Sequence, residues 1–261
     1  MKIDLSGRTA LVTGSTVGIG FAIASGLHAA GAHVILNGRS KERVEAALAR
    51  IGDSDRVTGA VGDIATPDGS ASVLAQAPHV DILVNNAGIF SPQHVFDIPD
   101  EEWERFFSVN VLSGIRLARH YVPAMVESGW GRVIFVSSES AVQIPPEMVH
   151  YGMTKSAQLA VARGMAEAVS GSEVTVNSVL PGPTMSEGIE RFVREMVEDQ
   201  MLSFEEAGKE FIAKERPTSL LGRLASAQEV ANLVVYLSSE QASATTGAAL
   251  RVDGGVLRGV L

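Results

Sequence analysis

The 261-residue sequence contains no cysteine, which excludes disulfides, thiol nucleophiles and cysteine-ligated zinc sites. The 6 histidines show neither His-x-x-x-His nor His-Glu-x-x-His spacing, so we expect no metal site. The Gly-x-Ser-x-Gly sequence of many hydrolases is missing, and so is the P-loop sequence Gly-x-x-x-x-Gly-Lys-Ser/Thr. The absence of cysteine agrees with a reducing, cytoplasmic location.

Long apolar runs and an excess of positive charge are missing as well. No stretch of about 18 consecutive apolar residues occurs, and residues 1–7 lack the features of a signal peptide, so we expect no membrane segment. The chain has 21 Lys and Arg residues against 30 Asp and Glu residues, which gives a net charge of −9. Because binding to nucleic acid depends on clustered positive charge, we expect no nucleic-acid partner.

Apolar residues are numerous enough to build a large core. They make up 46% of the chain and charged residues 20%, which is typical of one folded domain, here expected over 1–261. Short apolar segments alternate with longer amphipathic ones, which predicts a Rossmann-like α/β fold: a three-layer, doubly wound parallel sheet with helices on both faces. Strands are predicted over 8–13, 33–37, 56–60, 80–85, 131–137, 173–180 and 248–252. Helices are predicted over 18–30, 41–51, 68–76, 101–127, 150–170 and 227–238.

One segment interrupts this alternation. Residues 184–216 lie between the sixth strand and the last helix, where a connection of a few residues is usual. The segment is rich in charged residues and carries apolar residues, such as Ile189 and Phe192, at helical spacing. An exposed amphipathic insertion is one interpretation. Its position after the end of a parallel strand favours a lid over a pocket.

A glycine-rich sequence follows the first predicted strand. Residues 13–20 read Thr-Gly-Ser-Thr-Val-Gly-Ile-Gly and lead into the first predicted helix. The glycines let the backbone turn sharply and approach a pyrophosphate, which the free N–H groups and dipole of the helix then attract. The turn alone is weak evidence. Within the first strand–helix unit of a parallel sheet, however, it predicts a dinucleotide site.

Further motifs follow in order along the chain. Asn-Asn-Ala-Gly at 85–88 ends the fourth predicted strand, and Ser138 follows the fifth, thirteen residues before Tyr151. A Tyr-x-x-x-Lys motif occupies 151–155, and Pro-Gly at 181–182 follows the sixth strand. With the Gly-x-x-x-Gly-x-Gly spacing of the turn, this ordered set resembles the short-chain dehydrogenase/reductase family, especially its members similar to 3-oxoacyl-carrier-protein reductases. The resemblance extends from Gly7 to about Gly255.

The resemblance implies an NAD(P)(H)-dependent oxidoreductase that interconverts a carbonyl and a secondary alcohol by hydride transfer. Tyr151 would be the general acid/base, and Ser138 would orient the substrate oxygen. Asn110 would anchor a water that links Lys155 to solvent. Tyr151 and Lys155 stand four residues apart in a predicted helix and share one face, so we expect the lysine cation to lower the tyrosine pKa from about 10. The alternative function is a non-catalytic, nucleotide-sensing protein on the same fold.

The end of the second strand bears on the choice of cofactor. It reads Asn37-Gly38-Arg39, with no acidic residue to accept the ribose 2′-OH of NAD and an arginine that can contact the 2′-phosphate of NADP. We therefore expect NADP(H), with NAD(H) as the alternative. The hydroxyl that contacts the carboxamide end of the cofactor would come from Thr184 or Ser186, and the sequence does not choose between them. By the resemblance, the expected cofactor contacts are Gly14, Ser15, Thr16, Gly18, Ile19, Gly20, Arg39, Asp63, Ile64, Asn86, Ala87, Gly88, Tyr151, Lys155, Pro181, Gly182 and Thr184.

The substrate is expected to be a small carbonyl or alcohol bound between residues 140–150 and the lid segment. Residues 140–150 contain no Lys or Arg, which argues against a strongly anionic substrate bound there. In relatives, helices corresponding to 101–127 and 150–170 pack subunits together, so we expect a homotetramer. A mainly apolar wall with one amide is expected from Gln143, Ile144, Pro145, Pro146 and Met148. The predicted substrate contacts are Ser138, Ser140, Gln143, Ile144 and Tyr151.

Overall fold

A computed structural model of the protein describes residues 2–52, 55–197, 199 and 201–260. Apart from the helix predicted over 101–127, the predicted elements are confirmed with bounds that move by at most two residues. The strands are β1 (Thr9–Val12), β2 (His33–Gly38), β3 (Val57–Val61), β4 (Ile82–Asn85), β5 (Gly131–Val136), β6 (Val174–Pro181) and β7 (Ala249–Val252). The helices are α1 (Gly18–Ala29), α2 (Lys41–Ile51), α3 (Pro67–Gln76), α4 (Asp100–Phe107), α5 (Ser113–Ser128), α6 (Val149–Ala168), α7 (Glu187–Met196), α8 (Phe204–Glu215) and α9 (Ala227–Leu237).

These strands form one parallel sheet. In the described part of the chain the sheet has seven strands in the order β3-β2-β1-β4-β5-β6-β7. The order runs outward from β1 in both directions, so the chain reverses its direction of winding between β1 and β4. This is the doubly wound, Rossmann-like arrangement that the sequence predicts. The reversal leaves a crevice at the carboxyl ends of β1 and β4, where ligands bind in such sheets.

Successive side chains of the strands enter two separate cores, one on each face of the sheet. On β4, Ile82 and Val84 pack in the core that includes residues of α1, α2 and α9, whereas Leu83 packs in the core that includes residues of α3, α5 and α6. Because both faces are covered, the strands need apolar residues at nearly every position. The three-layer arrangement explains why the strand sequences show no alternation of apolar and polar residues.

The helix predicted over 101–127 is not regular throughout, and the prediction is wrong in this respect. α4 ends at Phe107, and a π-helical turn over Ser108–Leu112 separates it from α5. Asn110 lies in this turn, and its side chain bonds to both backbone groups of Ile89 and to the Thr154 hydroxyl. These long-range bonds hold a widened turn that helical periodicity alone does not reveal.

Residues 184–216 lie between β6 and α9 and contain two helices, α7 and α8. Ser186 caps α7 by accepting a bond from the Ile189 N–H, and Ser203 forms a capping box with Glu206 at the start of α8. Glu198 and Gln200, which belong to the predicted lid segment, lie outside the described residues. The helices share a third apolar cluster with neighbouring elements, formed by Met148, Phe192, Val193, Val197, Ala207, Phe211, Ile212 and Leu224.

None of the described helices combines the length with the apolar character that a membrane span requires. The longest, α6, has 20 residues and carries Tyr151 and Lys155 on one side.

Candidate active site

A cavity with a volume of about 270 Å³ lies at the carboxyl ends of the central strands. The start of α1 lines one side of it, the segment after β5 and the start of α6 line another, and the 184–216 segment covers a third. Ser138, Tyr151 and Lys155 all line this cavity. The structure therefore brings together three of the four predicted catalytic residues at the crevice where a parallel sheet binds ligands.

The glycine-rich turn directs the N-terminus of α1 towards this cavity. Gly18, Ile19 and Gly20 line it, and no side chain caps the helix at Val17. Gly14 has a φ of 60°, which favours glycine, and a Cβ at Gly20 would lie 2.4 Å from the Gly14 oxygen. The free N–H groups and the helix dipole attract an anion. The turn therefore fits the pyrophosphate of a dinucleotide.

Asn86 fixes this turn to the end of β4. The Thr13 hydroxyl accepts bonds from the N–H groups of Asn86 and Ala87 at 2.9 and 3.0 Å. The Asn86 amide in turn donates to the carbonyls of Thr13 and Gly14 at 2.9 and 3.1 Å. Gly88, two residues after Asn86, is exposed and lines the cavity. The Asn86 side chain thus holds the glycine-rich turn to the end of β4.

Two predicted cofactor residues of the turn, Ser15 and Thr16, make contacts with other residues of the protein. Ser15 is fully buried, donates its hydroxyl to the Val12 carbonyl and its N–H to the Asn37 carbonyl, and so holds the turn to β1 and β2. The structure does not bring its side chain to the cavity. Thr16 packs beside Gly38: a Cβ at Gly38 would lie 2.7 Å from the Thr16 methyl carbon.

The remaining predicted cofactor residues lie at other strand ends. Arg39 is exposed just beyond β2, and Asp63 and Ile64 follow β3, the isoleucine being buried. Pro181, Gly182, Thr184 and Ser186 line the cavity after β6. Thr184 donates its hydroxyl to the Gly182 carbonyl at 2.8 Å, and Ser186 caps α7. Thr184 and Ser186, between which the sequence does not choose, therefore both line the cavity.

Tyr151 and Lys155 lie on successive turns of α6 and face the cavity. The ammonium nitrogen of Lys155 is 5.5 Å from the centre of the Tyr151 ring and donates to the Val136 carbonyl at 2.9 Å. Tyr151 and Ser138 line the same cavity, and the Ser138 hydroxyl is near enough to the phenol to lower the pKa of Tyr151. A carbonyl oxygen placed beside these two hydroxyls would meet two hydrogen-bond donors at once, which is the geometry that acid catalysis requires.

Burial dominates the titration of this pair. It raises the pKa of Tyr151 above its ordinary value, and the negative charge of Glu139 raises it further, while the nearby Ser138 hydroxyl and the positive charge of Arg216 act in the opposite direction. Burial also lowers the pKa of Lys155 from 10.5 to about 7. The expectation that Lys155 depresses the pKa of Tyr151 is therefore wrong, because loss of water disfavours both charged forms.

Gln158 connects Lys155 to Asn110. Its amide donates to the backbone carbonyl of Asn110 at 2.6 Å, and its oxygen accepts from the Lys155 ammonium at 3.2 Å. All three residues are buried. The Gln158 side chain thus joins the Asn110 backbone to the Lys155 ammonium, and the Asn110 side chain itself binds Ile89 and Thr154. The water that the family resemblance assigns to Asn110 stays a prediction. Sequence reasoning missed Gln158, although a polar residue one turn after Lys155 is a usable signal.

Two charged residues that the sequence analysis did not single out also line the cavity. Glu139 and Arg216 are only 5% and 7% exposed, and the Arg216 Nε lies 3.4 Å from Oε1 of Glu139. The Ser138 hydroxyl donates to Oε2 of Glu139 at 2.6 Å. Arg216 also pairs with Glu147 at 3.5 Å. Glu139 and Arg216 are 77 positions apart, so no local pattern shows the pair.

The predicted substrate contacts divide into two groups. Ser138, Ser140 and Tyr151 line the cavity, whereas Gln143 and Ile144 do not. Gln143 is exposed, and Ile144 is 46% exposed. A 3₁₀ turn over Glu139–Ala141 redirects the chain after Ser138, which carries both residues away from the cavity. Of the residues expected to form an apolar wall, only Met148 is among those that line the cavity; the other apolar side chains there include Phe90, Ile189, Phe192 and Phe211.

The described residues contain no group of three or more His, Asp or Glu side chains that could hold a metal ion. The donors that line the cavity are hydroxyls, an ammonium, a guanidinium and backbone N–H groups. These groups bind anions and carbonyl or hydroxyl oxygens.

Comparisons with known proteins agree with this geometry. A family model described as enoyl-(acyl carrier protein) reductase matches residues 14–257. The chain is 47% identical to an uncharacterized oxidoreductase, YvaG, of Bacillus subtilis (strain 168), with all of both chains covered. It is 32% identical to the 3-oxoacyl-[acyl-carrier-protein] reductase FabG of Rickettsia felis, covering 98% of this chain and 99% of that one. It also superimposes on L-sorbose reductase from Gluconobacter frateurii, solved with NADPH and L-sorbose, with a TM-score of 0.91, 32% identity and full coverage of both chains.

Proposed function

Because this chain belongs to the short-chain dehydrogenase/reductase family of oxidoreductases, we propose that it reduces a small carbonyl compound to a secondary alcohol with NADPH, and that Tyr151 is its general acid. The observation that carries the proposal is the placement of the Tyr151 and Ser138 hydroxyls together in a cavity that also contains the open N-terminus of α1. In this proposal the chain acts as one dinucleotide-binding and catalytic domain.

The dinucleotide, when bound, supplies a hydride to the carbonyl carbon. The chain's own task is to place the substrate and deliver a proton. Ser138 and Tyr151 hold the carbonyl oxygen, which polarises the carbonyl and fixes its orientation. Tyr151 then donates its phenolic proton to that oxygen. Burial keeps the pKa of Tyr151 high, so the phenol is protonated at neutral pH, which is the form that a reduction needs.

Lys155 restores the proton on Tyr151 in this proposal. Its pKa of about 7 lets the amine gain and lose a proton near neutral pH. Gln158 and the Val136 carbonyl hold the nitrogen in place. Positioning of Lys155 therefore depends on Asn110 through the Gln158 amide.

The preference for NADP(H) over NAD(H) is supported by the end of β2. An acidic side chain at Gly38 would collide with Thr16, and exposed Arg39 follows at once. The L-sorbose reductase that this chain superimposes on was solved with NADPH. Steady-state kinetics with NADPH and NADH tests the preference, and a higher kcat/KM with NADH would refute it.

The 184–216 segment is proposed as a lid over the substrate. Ser186 lies against the phosphate-binding turn, since a Cβ at Gly18 would be 3.3 Å from the Ser186 Cβ. Phe192 and Phe211 from this segment line the cavity. The predictions of a homotetramer and of a cytoplasmic location stay predictions. Size-exclusion chromatography with light scattering tests the first.

The experiment that tests the proposed function follows NADPH oxidation by absorbance while ketones, aldehydes and, in reverse, alcohols are screened. We expect turnover with wild type and a fall of about 10²- to 10⁴-fold in kcat for Tyr151→Phe, the range that a general acid contributes. Binding of NADPH should be nearly unchanged, because the substitution removes only the phenolic oxygen.

Tyr236→Phe is the matched control. Tyr236 lies on α9, and its hydroxyl donates only to the Gln241 carbonyl at 3.4 Å; its loss should leave kcat within about 2-fold of wild type. Near-normal turnover by Tyr151→Phe would refute Tyr151 as the acid. Binding of NADPH without turnover of any carbonyl would instead favour the nucleotide-sensing alternative.

A further inference from the structure

Glu139 places a carboxylate beside the proposed reaction centre. It directly follows Ser138, lines the cavity and is almost completely buried. Its Oε2 accepts the Ser138 hydroxyl proton at 2.6 Å, and the Ser138 oxygen accepts the Ser140 N–H at 3.1 Å. The single proton of Ser138 is thus directed at Glu139.

This bond competes with the proposed role of Ser138. A serine hydroxyl has one proton to donate, so Ser138 can donate to a substrate carbonyl only by turning away from Glu139. The Oε2 oxygen of Glu139, whose side chain is almost completely buried, would then lose its donor, and an unpaired buried acceptor is unfavourable. A substrate that brings its own donor to Oε2 removes this penalty.

The charges around Glu139 decide what kind of donor fits. Arg216 is the nearest cation, and it contacts Glu139 at 3.4 Å and Glu147 at 3.5 Å. One guanidinium therefore faces two carboxylates, so the cluster carries an excess of negative charge. An anionic substrate group would be repelled by this cluster, whereas a neutral hydroxyl can donate to Oε2 without a change in charge.

We propose that Glu139 accepts a hydrogen bond from a substrate hydroxyl on a carbon next to the carbonyl, so that the site selects neutral hydroxyketones and hydroxyaldehydes such as open-chain sugars. The inference rests on the proposed function, because it uses Ser138 and Tyr151 as the groups that hold the carbonyl oxygen. No covalent bond is made or broken in this step. The substrate hydroxyl replaces Ser138 as the donor to Glu139, and Ser138 turns to the carbonyl oxygen.

The first test compares two ketones with the same carbon skeleton, 3-hydroxy-2-butanone and 2-butanone, with NADPH. Wild type should prefer the hydroxyketone by about 10- to 100-fold in kcat/KM, the range of a hydrogen bond to a charged group. Glu139→Gln should reduce this ratio to within about 3-fold. Equal kcat/KM values in wild type would overturn the inference without any variant.

Glu147→Gln is the matched control. It removes the same charge from the other partner of Arg216, but Glu147 neither contacts Ser138 nor is among the residues that line the cavity. The ratio between the two ketones should therefore stay within about 3-fold of wild type. A collapse of the ratio in Glu147→Gln as large as in Glu139→Gln would assign the preference to overall charge and overturn the hydrogen bond.

The second test measures binding without turnover, by calorimetry of the two ketones with NADPH-loaded Tyr151→Phe protein. Tighter binding of the hydroxyketone, lost when Glu139→Gln is added, supports the inference even if neither ketone is reduced by wild type. Equal affinities refute it even if turnover is normal. A keto acid of matched skeleton that binds more tightly than the hydroxyketone would make Arg216 a carboxylate site and would also refute it.

Discussion

Replacement of Lys155 by Met should make the ligand-free protein more stable while removing its turnover. Lys155 is 4% exposed, and in the described part of the chain it forms no ion pair with a carboxylate. Burial lowers its pKa from 10.5 to about 7. Each pKa unit corresponds to about 1.4 kcal/mol. The difference between the two pKa values of Lys155 therefore lowers the free energy of unfolding by about 5 kcal/mol at or below pH 7.

The sign follows from proton binding in the two states. Between pH 7 and pH 10.5 the unfolded chain keeps the Lys155 proton while the folded chain loses it, so the stability of wild type rises with pH in this window. Integrated from pH 7 to pH 9, the gain is about 2 kcal/mol. Lys155→Met has no such proton. Two carbonyl acceptors lose their donor in the variant, which offsets about 2 kcal/mol of the stabilisation.

We therefore expect the free energy of unfolding of Lys155→Met to exceed that of wild type by about 3 kcal/mol at pH 7, and the gap to narrow by about 2 kcal/mol at pH 9. Urea unfolding followed by circular dichroism, without cofactor and at one protein concentration, measures both values. Lys214→Met, which removes an exposed lysine of α8, should show no comparable change. A gap that is the same at both pH values, or a variant less stable than wild type throughout, would refute the reasoning.

Two further substitutions test residues that act on either side of the reaction centre. Gln158→Leu should shift the pH profile of kcat and lower kcat about 10-fold while KM for NADPH changes little, because Lys155 and the Asn110 carbonyl lose a shared buried partner. Gln158→Glu keeps an acceptor for Lys155 but cannot donate to the Asn110 carbonyl, so it should restore only part of the rate. An unchanged pH profile would argue against a positioning role. Arg39→Ala should raise KM for NADPH about 10-fold and leave KM for NADH within about 2-fold, because a 2′-phosphate occurs only in NADP(H); equal changes with both cofactors would show that Arg39 does not contact that phosphate.

The sheet could be predicted from the sequence because burial on both faces leaves a simple pattern. β4 and β5 are apolar at nearly every position, and each is followed by polar residues that emerge at the same sheet edge. Ser138 follows β5, and the family resemblance pairs it with Tyr151 because the two residues have the distance along the chain that the family shows. These features depend on local order along the chain, which a single sequence displays directly.

The turn around Asn110 could not be predicted in the same way. Helical periodicity continues across 108–112, so the sequence alone indicates one regular helix. The π-helical turn is held by Ile89, Thr154 and Gln158, all distant in sequence from Asn110. Tertiary bonds of this kind override local preference without leaving a periodic signal.

The electrostatics of the site were the least accessible to sequence reasoning. A Tyr-x-x-x-Lys spacing places Lys155 near Tyr151, which indicates a lowered tyrosine pKa if water surrounds both groups. The structure buries both, and desolvation reverses the direction for Tyr151. Glu139 adds to this effect, and its contact with Arg216 spans 77 positions. Burial and long-range pairing are properties of the fold that no short motif encodes.

The position of Arg216 directly after α8 has a practical consequence for protein engineering. Exchange of the 184–216 segment with that of a relative is an obvious way to alter which compounds the protein accepts. Such a chimera would import a foreign residue opposite Glu139, and a transplant without a cation there would leave an uncompensated charge beneath Ser138. Library designs should therefore always change position 139 and the last residue of the transplanted segment together.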